Sequence, residues 1–312
     1  MKRCRALTLP LLCVFLLSGC WNGRALFFFE QPFWSTLGDD ARIRVTLMSA
    51  SLRRGYFPRI DIAAPGGDSQ AGLVKDAGKG AYSTVVVGPL LSSEWKSYVP
   101  RISGARFILV DVSPPAADPP PNVLFLTFDR REAFHAAGFA AAASALEGHG
   151  GDGATDPGQR IGLLLSNGTE LSPDEIDAFN AGVAESLNGA RPVTRLLSAP
   201  IDKASVKTAV QEMQRQGTEI FLLGLGSVDP LGLEVMKDTG GCAVVADWAA
   251  SGAYPAQVFL SVEEDVPGGL LRALAALRTD TRSVSGPVRL VAGKARPLPS
   301  AVRGHVDGDR GS

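Results

Sequence analysis

Histidine and cysteine are scarce in this chain, with three and four among 312 residues. His135 sits in an alanine-rich segment; His149 and His305 fall in loop and tail sequence. No two have the spacing of metal ligands, and no acid–base or nucleophile constellation accompanies them. Neither a metal site nor an enzymatic role is expected. The Gly-x-Gly of "GLGSVD" lacks the further glycine of a dinucleotide loop, so no cofactor is expected either. Neither sign of charge dominates: 31 Lys and Arg stand against 32 Asp and Glu, a formal net charge of −1. That balance excludes a chain drawn as a whole to nucleic acid or to an anionic membrane surface. Beyond residue 20 no apolar run approaches the roughly 20 residues needed to cross a bilayer.

What is there is ordinary globular composition, 45% hydrophobic and 20% charged, at a length that suits one large domain or two lobes. The first 20 residues stand apart. Lys2, Arg3 and Arg5 precede an apolar stretch from Ala6 to Leu17, then Ser18, Gly19 and Cys20. The layout is that of a secretory signal, and "LSGC" resembles a bacterial lipobox. The resemblance implies removal of residues 1–19 and acylation of Cys20, stable because each buried methylene contributes about 0.8 kcal/mol. Cys4 and Cys13 then leave with the signal, and Cys242 remains as a small core residue without a disulfide partner. Loss of three basic residues takes the formal charge from −1 to −4.

The body alternates β-rich apolar runs with helical periodicity. "RALFFF", "RIDIAA", "STVVVGPL" and "ARFILVDV" read as strands. Leu37, Ala41, Val45, Met48 and Leu52, spaced four, four, three and four, read as the core face of a helix. "PPAADPPP" is a connector that neither a helix nor a central strand accommodates. "NVLFLTF", "RIGLLLSNG", "PVTRLLSA", "EIFLLGLG" and "CAVVADW" continue the rhythm, each followed by a helical segment or a turn. Ser172, Pro173 and Glu175 predict a capped helix start. The alternation predicts an α/β fold of two doubly wound, Rossmann-like lobes with a hinge and an interlobe cleft. Lobe 1 is expected over 20–128 plus 252–278 and lobe 2 over 129–251 plus 279–295, with 296–312 a mobile tail.

The order of these segments is similar to that of type I periplasmic solute-binding proteins, and within them to the basic membrane protein family of purine nucleoside receptor lipoproteins. The residues that carry the resemblance are Asp111, Asn122-Val123, Glu132, Phe134 and Ala137-Gly138, then Phe179 and Gly182, then Asp247 and Ser261. It spans about residues 24–292. Two positions depart from the pattern. Trp34 stands where an asparagine is usual, and Glu264 where a lysine is usual, which alters what the site can hold. The resemblance implies a monomeric, membrane-anchored bacterial lipoprotein facing the periplasm or exterior. It would pass a small solute, a nucleoside or alternatively a sugar, to an ABC permease. A sensing or surface lipoprotein with an altered cleft is the other reading. Trp21 after the lipid cysteine is not the aspartate that retains many lipoproteins in an inner membrane.

The candidate ligand-binding residues are Glu30, Phe33, Trp34, Asp111, Asp247 and Trp248. Phe33 and Trp34 follow the first strand and offer ring faces for stacking. Glu30 beside them can accept from hydroxyls or serve the core. Phe27, Phe28 and Phe29 read as buried strand. Asp111 and Asp247 each end a strand, as ligand carboxylates or as loop caps, and Trp248 offers a second ring. Ser166–Gly168 and Gly224–Ser227 are turns that can present donors.

Overall fold

The structure, a computed structural model, describes residues 23–37, 39–64, 68–79, 82–115, 119–147, 157–167, 169, 171–246, 253–279 and 281–299. The chain forms two units. Unit 1 runs through Thr127 and takes in Val266–Gly286; unit 2 comprises Phe128–Asp265 and the chain from Pro287. Each is a six-stranded sheet with flanking helices.

In unit 1 the strands are β1 (Gly23–Glu30), β2 (Tyr56–Ala63), β3 (Tyr82–Val87), β4 (Arg106–Val110), β5 (Val123–Phe128) and β11 (Ser283–Gly286), in the order β11-β5-β4-β3-β1-β2. β1 to β5 pair in parallel. The helices are α1 (Gln31–Thr36), α2 (Asp40–Arg53), α3 (Ser69–Lys79), α4 (Pro89–Ser92), α5 (Trp95–Tyr98) and α10 (Val266–Ala276). Leu26 and Phe28 are buried in one core cluster, while Phe27 and Phe29 project to the other face of the sheet, their tilted rings 6.3 Å apart between centroids. A strand covered on both faces needs such an uninterrupted apolar run.

In unit 2 the strands are β6 (Ile161–Ser166), β7 (Val193–Leu197), β8 (Ile220–Gly224), β9 (Cys242–Val245), β10 (Val258–Glu264) and β12 (Val288–Ala292), in the order β12-β10-β9-β8-β6-β7. All described pairs are parallel except β10 with β12. Its helices are α6 (Arg131–Glu147), α7 (Pro173–Ser186), α8 (Lys203–Arg215) and α9 (Asp229–Thr239). Ser172 and Glu175 close a capping box on α7, and Asp202 with Ser205 does the same for α8. α6 and α7 pack through glycines. A Cβ on Gly138 would lie 2.1 Å from the Phe179 carbonyl oxygen, and one on Gly182 would lie 2.0 Å from that of His135. The "AG" and "F-x-x-G" patterns therefore meet each other across a helix pair.

Three expectations need correction. β10, placed in lobe 1 by the sequence bounds, is a strand of the second sheet because it pairs with β9 and β12, and β11, placed in lobe 2, belongs to the first sheet beside β5. The tail is anchored as far as residue 298: Arg296 pairs with Glu219 at 2.7 Å and Leu298 packs on the unit 2 core. Residues 300–312 lie outside the described residues. On α2 the face expected to be buried is exposed, with Val45 at 66%. Ile43, Leu47 and Ala50 face the sheet instead. The helix carries two apolar stripes on opposite sides, and periodicity alone does not choose between them. Cys242 is free and buried, its thiol pushed up to about 11 by burial. Among the described residues no helix is long and apolar enough to cross a membrane.

Candidate functional site

In an open parallel sheet, ligands bind beyond the carboxyl ends of the strands, where the strand order reverses. Each unit has one such switch point: between β1 and β3 in unit 1, and between β6 and β8 in unit 2. At the first, Glu30 ends β1 and Gly88 follows β3. Glu30 is only 5% exposed. Its Oε1 accepts the backbone N–H of Leu91 at 2.6 Å, fastening the start of α4 to the end of β1. Its Oε2 is buried without a hydrogen-bond partner among the described residues. A Cβ on Gly88 would fall 2.2 Å from that oxygen, so the close approach requires glycine there. Burial pushes the Glu30 carboxyl above its ordinary value, against the lowering effect of the backbone N–H groups. The Tyr98 hydroxyl is likewise buried without a partner; burial, then the Glu30 charge, pushes it up. Glu30 is thus a structural carboxylate of the turn in this conformation.

α1 begins directly after β1, with Pro32 in its first turn. Phe33 is half-buried, its ring 5.7 Å from that of Phe29. Trp34, expected to offer a ring face to a ligand, belongs to the core instead. It is 4% exposed, stacks on Phe29 at 5.6 Å, and donates its indole N–H to Asp40 at 2.6 Å. Arg44 covers the ring at 5.1 Å. Helical geometry explains the difference: consecutive residues in α1 point about 100° apart, so Phe33 and Trp34 cannot share a face. Asp111 follows β4 and is exposed, with a left-handed φ of 54°. Its backbone N–H donates to the Leu126 carbonyl at 2.7 Å, which fixes the turn while the side chain stays at the surface. Beside β2 a groove of about 540 Å³ is lined by Phe28, Arg44, Ile60, Asp61 and Ser69 among others.

At the unit 2 switch point, Thr169 donates its N–H to the Ser166 carbonyl, and Asp229 accepts the Leu225 N–H at 2.6 Å. Both contacts close turns. Nearby in the sheet, Glu264 at the carboxyl end of β10 lies 3.6 Å from Arg130. Arg130 also grips Glu175 with two hydrogen bonds, at 2.6 and 3.1 Å, and lies over the Phe134 ring at 5.9 Å. The Glu264 carboxylate is thus accompanied by a cation from another element. Sequence reasoning passed over Arg130; an acid in place of a base was the signal that a compensating cation should exist elsewhere. Asp247, Trp248 and Cys20 lie outside the described residues. Among the described residues no group of three or more His, Cys, Asp or Glu is arranged to hold a metal.

No family model matches the chain, and no curated protein matches it. Many solved structures do. A transcriptional activator of the comK gene from Bacillus halodurans superposes with a TM-score of 0.65 at 13% identity, over 92% of this chain and 95% of that one. An ABC transporter solute-binding protein from Conexibacter woesei gives 0.62 at 15%, over 92% and 94%. The Caulobacter myo-inositol binding protein, bound to myo-inositol, gives 0.53 at 16%, over 87% and 93%. With the two mostly parallel sheets described above, these similarities establish the fold of type I periplasmic binding proteins.

Proposed function

We propose that this chain is a solute-binding lipoprotein, non-enzymatic, that takes up a nucleoside and delivers it to an ABC permease. Acylated Cys20 would hold it on a membrane with its body facing the periplasm or exterior. One observation carries the solute reading. At the carboxyl edge of unit 1, the Phe33 ring follows β1 and the exposed Asp111 carboxylate follows β4. Those strands stand two positions apart in the sheet, roughly 10 Å. A ring that stacks and a carboxylate that accepts suit a flat base joined to a hydroxylated sugar. Solute-binding proteins among the similar structures support the role. The test is mass spectrometry of small molecules released from gently purified protein, followed by calorimetric titration with nucleosides and sugars. A released nucleoside that rebinds at micromolar affinity or better supports the reading. Rebinding of sugars alone shifts it to a sugar receptor, the second reading, favoured by the myo-inositol binding protein and by a regulator in complex with cellobiose. No binding of any solute leaves a sensing or surface lipoprotein.

A further inference from the structure

The near-neutral charge of the whole chain conceals a segregation inside unit 1. Strands β1 to β5 run parallel, so their amino ends share one edge of the sheet. On that edge, or on the turns leading into it, stand Arg24, Arg53, Arg54, Arg101, Arg106 and Arg278, all exposed. Ladder register and hydrogen bonds bring them together. Gly23 pairs with Tyr56, Arg24 with Phe57 and Tyr82, and Thr84 with Arg106. Arg278 donates to the Arg54 carbonyl at 3.1 Å, and Arg106 donates to the carbonyl of Leu277. From β2 to β4 the edge measures about 15 Å. Among the described residues no carboxylate pairs with Arg24, Arg53, Arg101, Arg106 or Arg278. Arg24 lies over the Tyr82 ring instead, at 4.9 Å. Glu30 ends β1, and Asp39, Asp40, Asp68, Glu94 and Asp111 follow strand carboxyl ends, on the opposite side of the sheet, where Arg42 and Arg44 also stand; Asp61 lies within β2, paired with Arg59, and Asp76 on α3. Leu52 and Phe57, beside the arginines, are 44% and 49% exposed.

A second observation names the occupant. β1 starts on this same edge at Gly23, and only Trp21 and Asn22 separate it from Cys20. Three residues reach at most about 10 Å. A lipid on Cys20 would bring the arginine edge against the bilayer.

We propose that this edge docks on an anionic membrane surface, with the arginines against lipid phosphates and Leu52 and Phe57 at the interface. The tether rests on the lipoprotein reading above; the surface itself does not. Ser103, exposed between Arg101 and Arg106, is a suitable reporter site. Acylated protein with Ser103→Cys takes an environment-sensitive fluorophore there, since Cys242 is buried; for unacylated protein Cys4, Cys13 and Cys20 are first changed to Ala. It is reconstituted through its own lipid into vesicles of phosphatidylcholine, alone or mixed with phosphatidylglycerol. Emission should rise by roughly twofold on the anionic vesicles and fall back in high salt, as screening requires. Combined Arg24→Glu, Arg53→Glu, Arg101→Glu and Arg278→Glu should abolish the rise. The same four changed to Gln, which spares the fold from charge reversal, should reduce it. Equal emission on both vesicles, or a rise that the Gln set leaves intact, overturns the proposal. So does a rise that depends on protein concentration without vesicles, which marks a second copy as the occupant. Mass analysis of Cys20 separates the two readings. If Cys20 carries no acyl chain, the anchor reading fails, and the comparison repeated with added protein still decides whether the edge docks.

Discussion

The carboxylate of Glu30 accepts the backbone N–H of Leu91 at 2.6 Å, joining the end of β1 to α4, 61 residues further along the chain. The contact holds the unit 1 switch point in shape with a group that burial would prefer neutral. Because the folded carboxyl is raised above its ordinary 4.5, the folded state holds the proton more tightly than the unfolded chain. Its stability contribution is therefore full below 4.5 and is lost as pH rises through the folded value. Glu30→Gln keeps the acceptor and removes the titration. Urea unfolding from about pH 4 to about pH 8 should show a decline in the wild type that the variant flattens. Equal slopes would mean that folding leaves the proton affinity of Glu30 unchanged.

Phe33 and Trp34 should separate function from stability. Trp34→Ala removes a buried ring and should cost about 3–5 kcal/mol of stability. Phe33→Ala should leave the melting temperature nearly unchanged and weaken nucleoside binding by about 1–3 kcal/mol. Melting curves and calorimetric titration of both variants check this. A stable Trp34→Ala protein would contradict the core placement.

Arg130→Ala should be severe for a different reason. It leaves Glu175, 8% exposed, as a buried charge without its guanidinium. Breaking such a pair costs about 3–5 kcal/mol. Adding Glu175→Gln should recover much of the loss in a double-mutant comparison by chemical denaturation, whereas independent effects would simply add.

Gly182→Ala places a methyl carbon 2.0 Å from the His135 carbonyl oxygen, and α6 and α7 must move apart to admit it. A loss of about 1–3 kcal/mol or more is expected. Gly189→Ala is not a matched control, because Gly189 has φ 91°. Gly78→Ala is, since that helical site is open, and it should be neutral or slightly stabilising.

Cys20→Ala should abolish acylation, since no other thiol of the sequence sits at a lipobox. Detergent-phase partitioning and intact mass check it. A variant that partitions like the wild type would remove the anchor from the proposal.

The strand–helix rhythm was legible because buried parallel strands such as "ALFFFE" and "RFILV" need long apolar runs that little else requires. The face of α2 was not legible, because Val45, Met48 and Leu52 are as regularly spaced as Ile43, Leu47 and Ala50; only packing chooses. At the candidate site, the sequence placed Phe33, Trp34 and Glu30 after the first strand correctly in order but not in direction. Side-chain direction follows from α1 starting at once, a helix of six residues too short to announce itself by periodicity. Arg130 escaped notice because its partners, Glu175 and Glu264, are distant in sequence. The arginine edge escaped because its members come from separate segments, and a total charge averages them away.

The division of unit 1 between two stretches of chain has a consequence for biogenesis. β11, which borders β5, and α10, whose following residue Leu277 receives Arg106, are made only after the whole of β6 to β10. While the chain emerges amino end first, β5 stands as an uncovered sheet edge, the feature that invites wrong pairing. A chain interrupted near residue 265 would keep that edge permanently. The first sheet therefore closes only when residues 266–286 arrive, so completion of the chain rather than its start sets when unit 1 can finish folding.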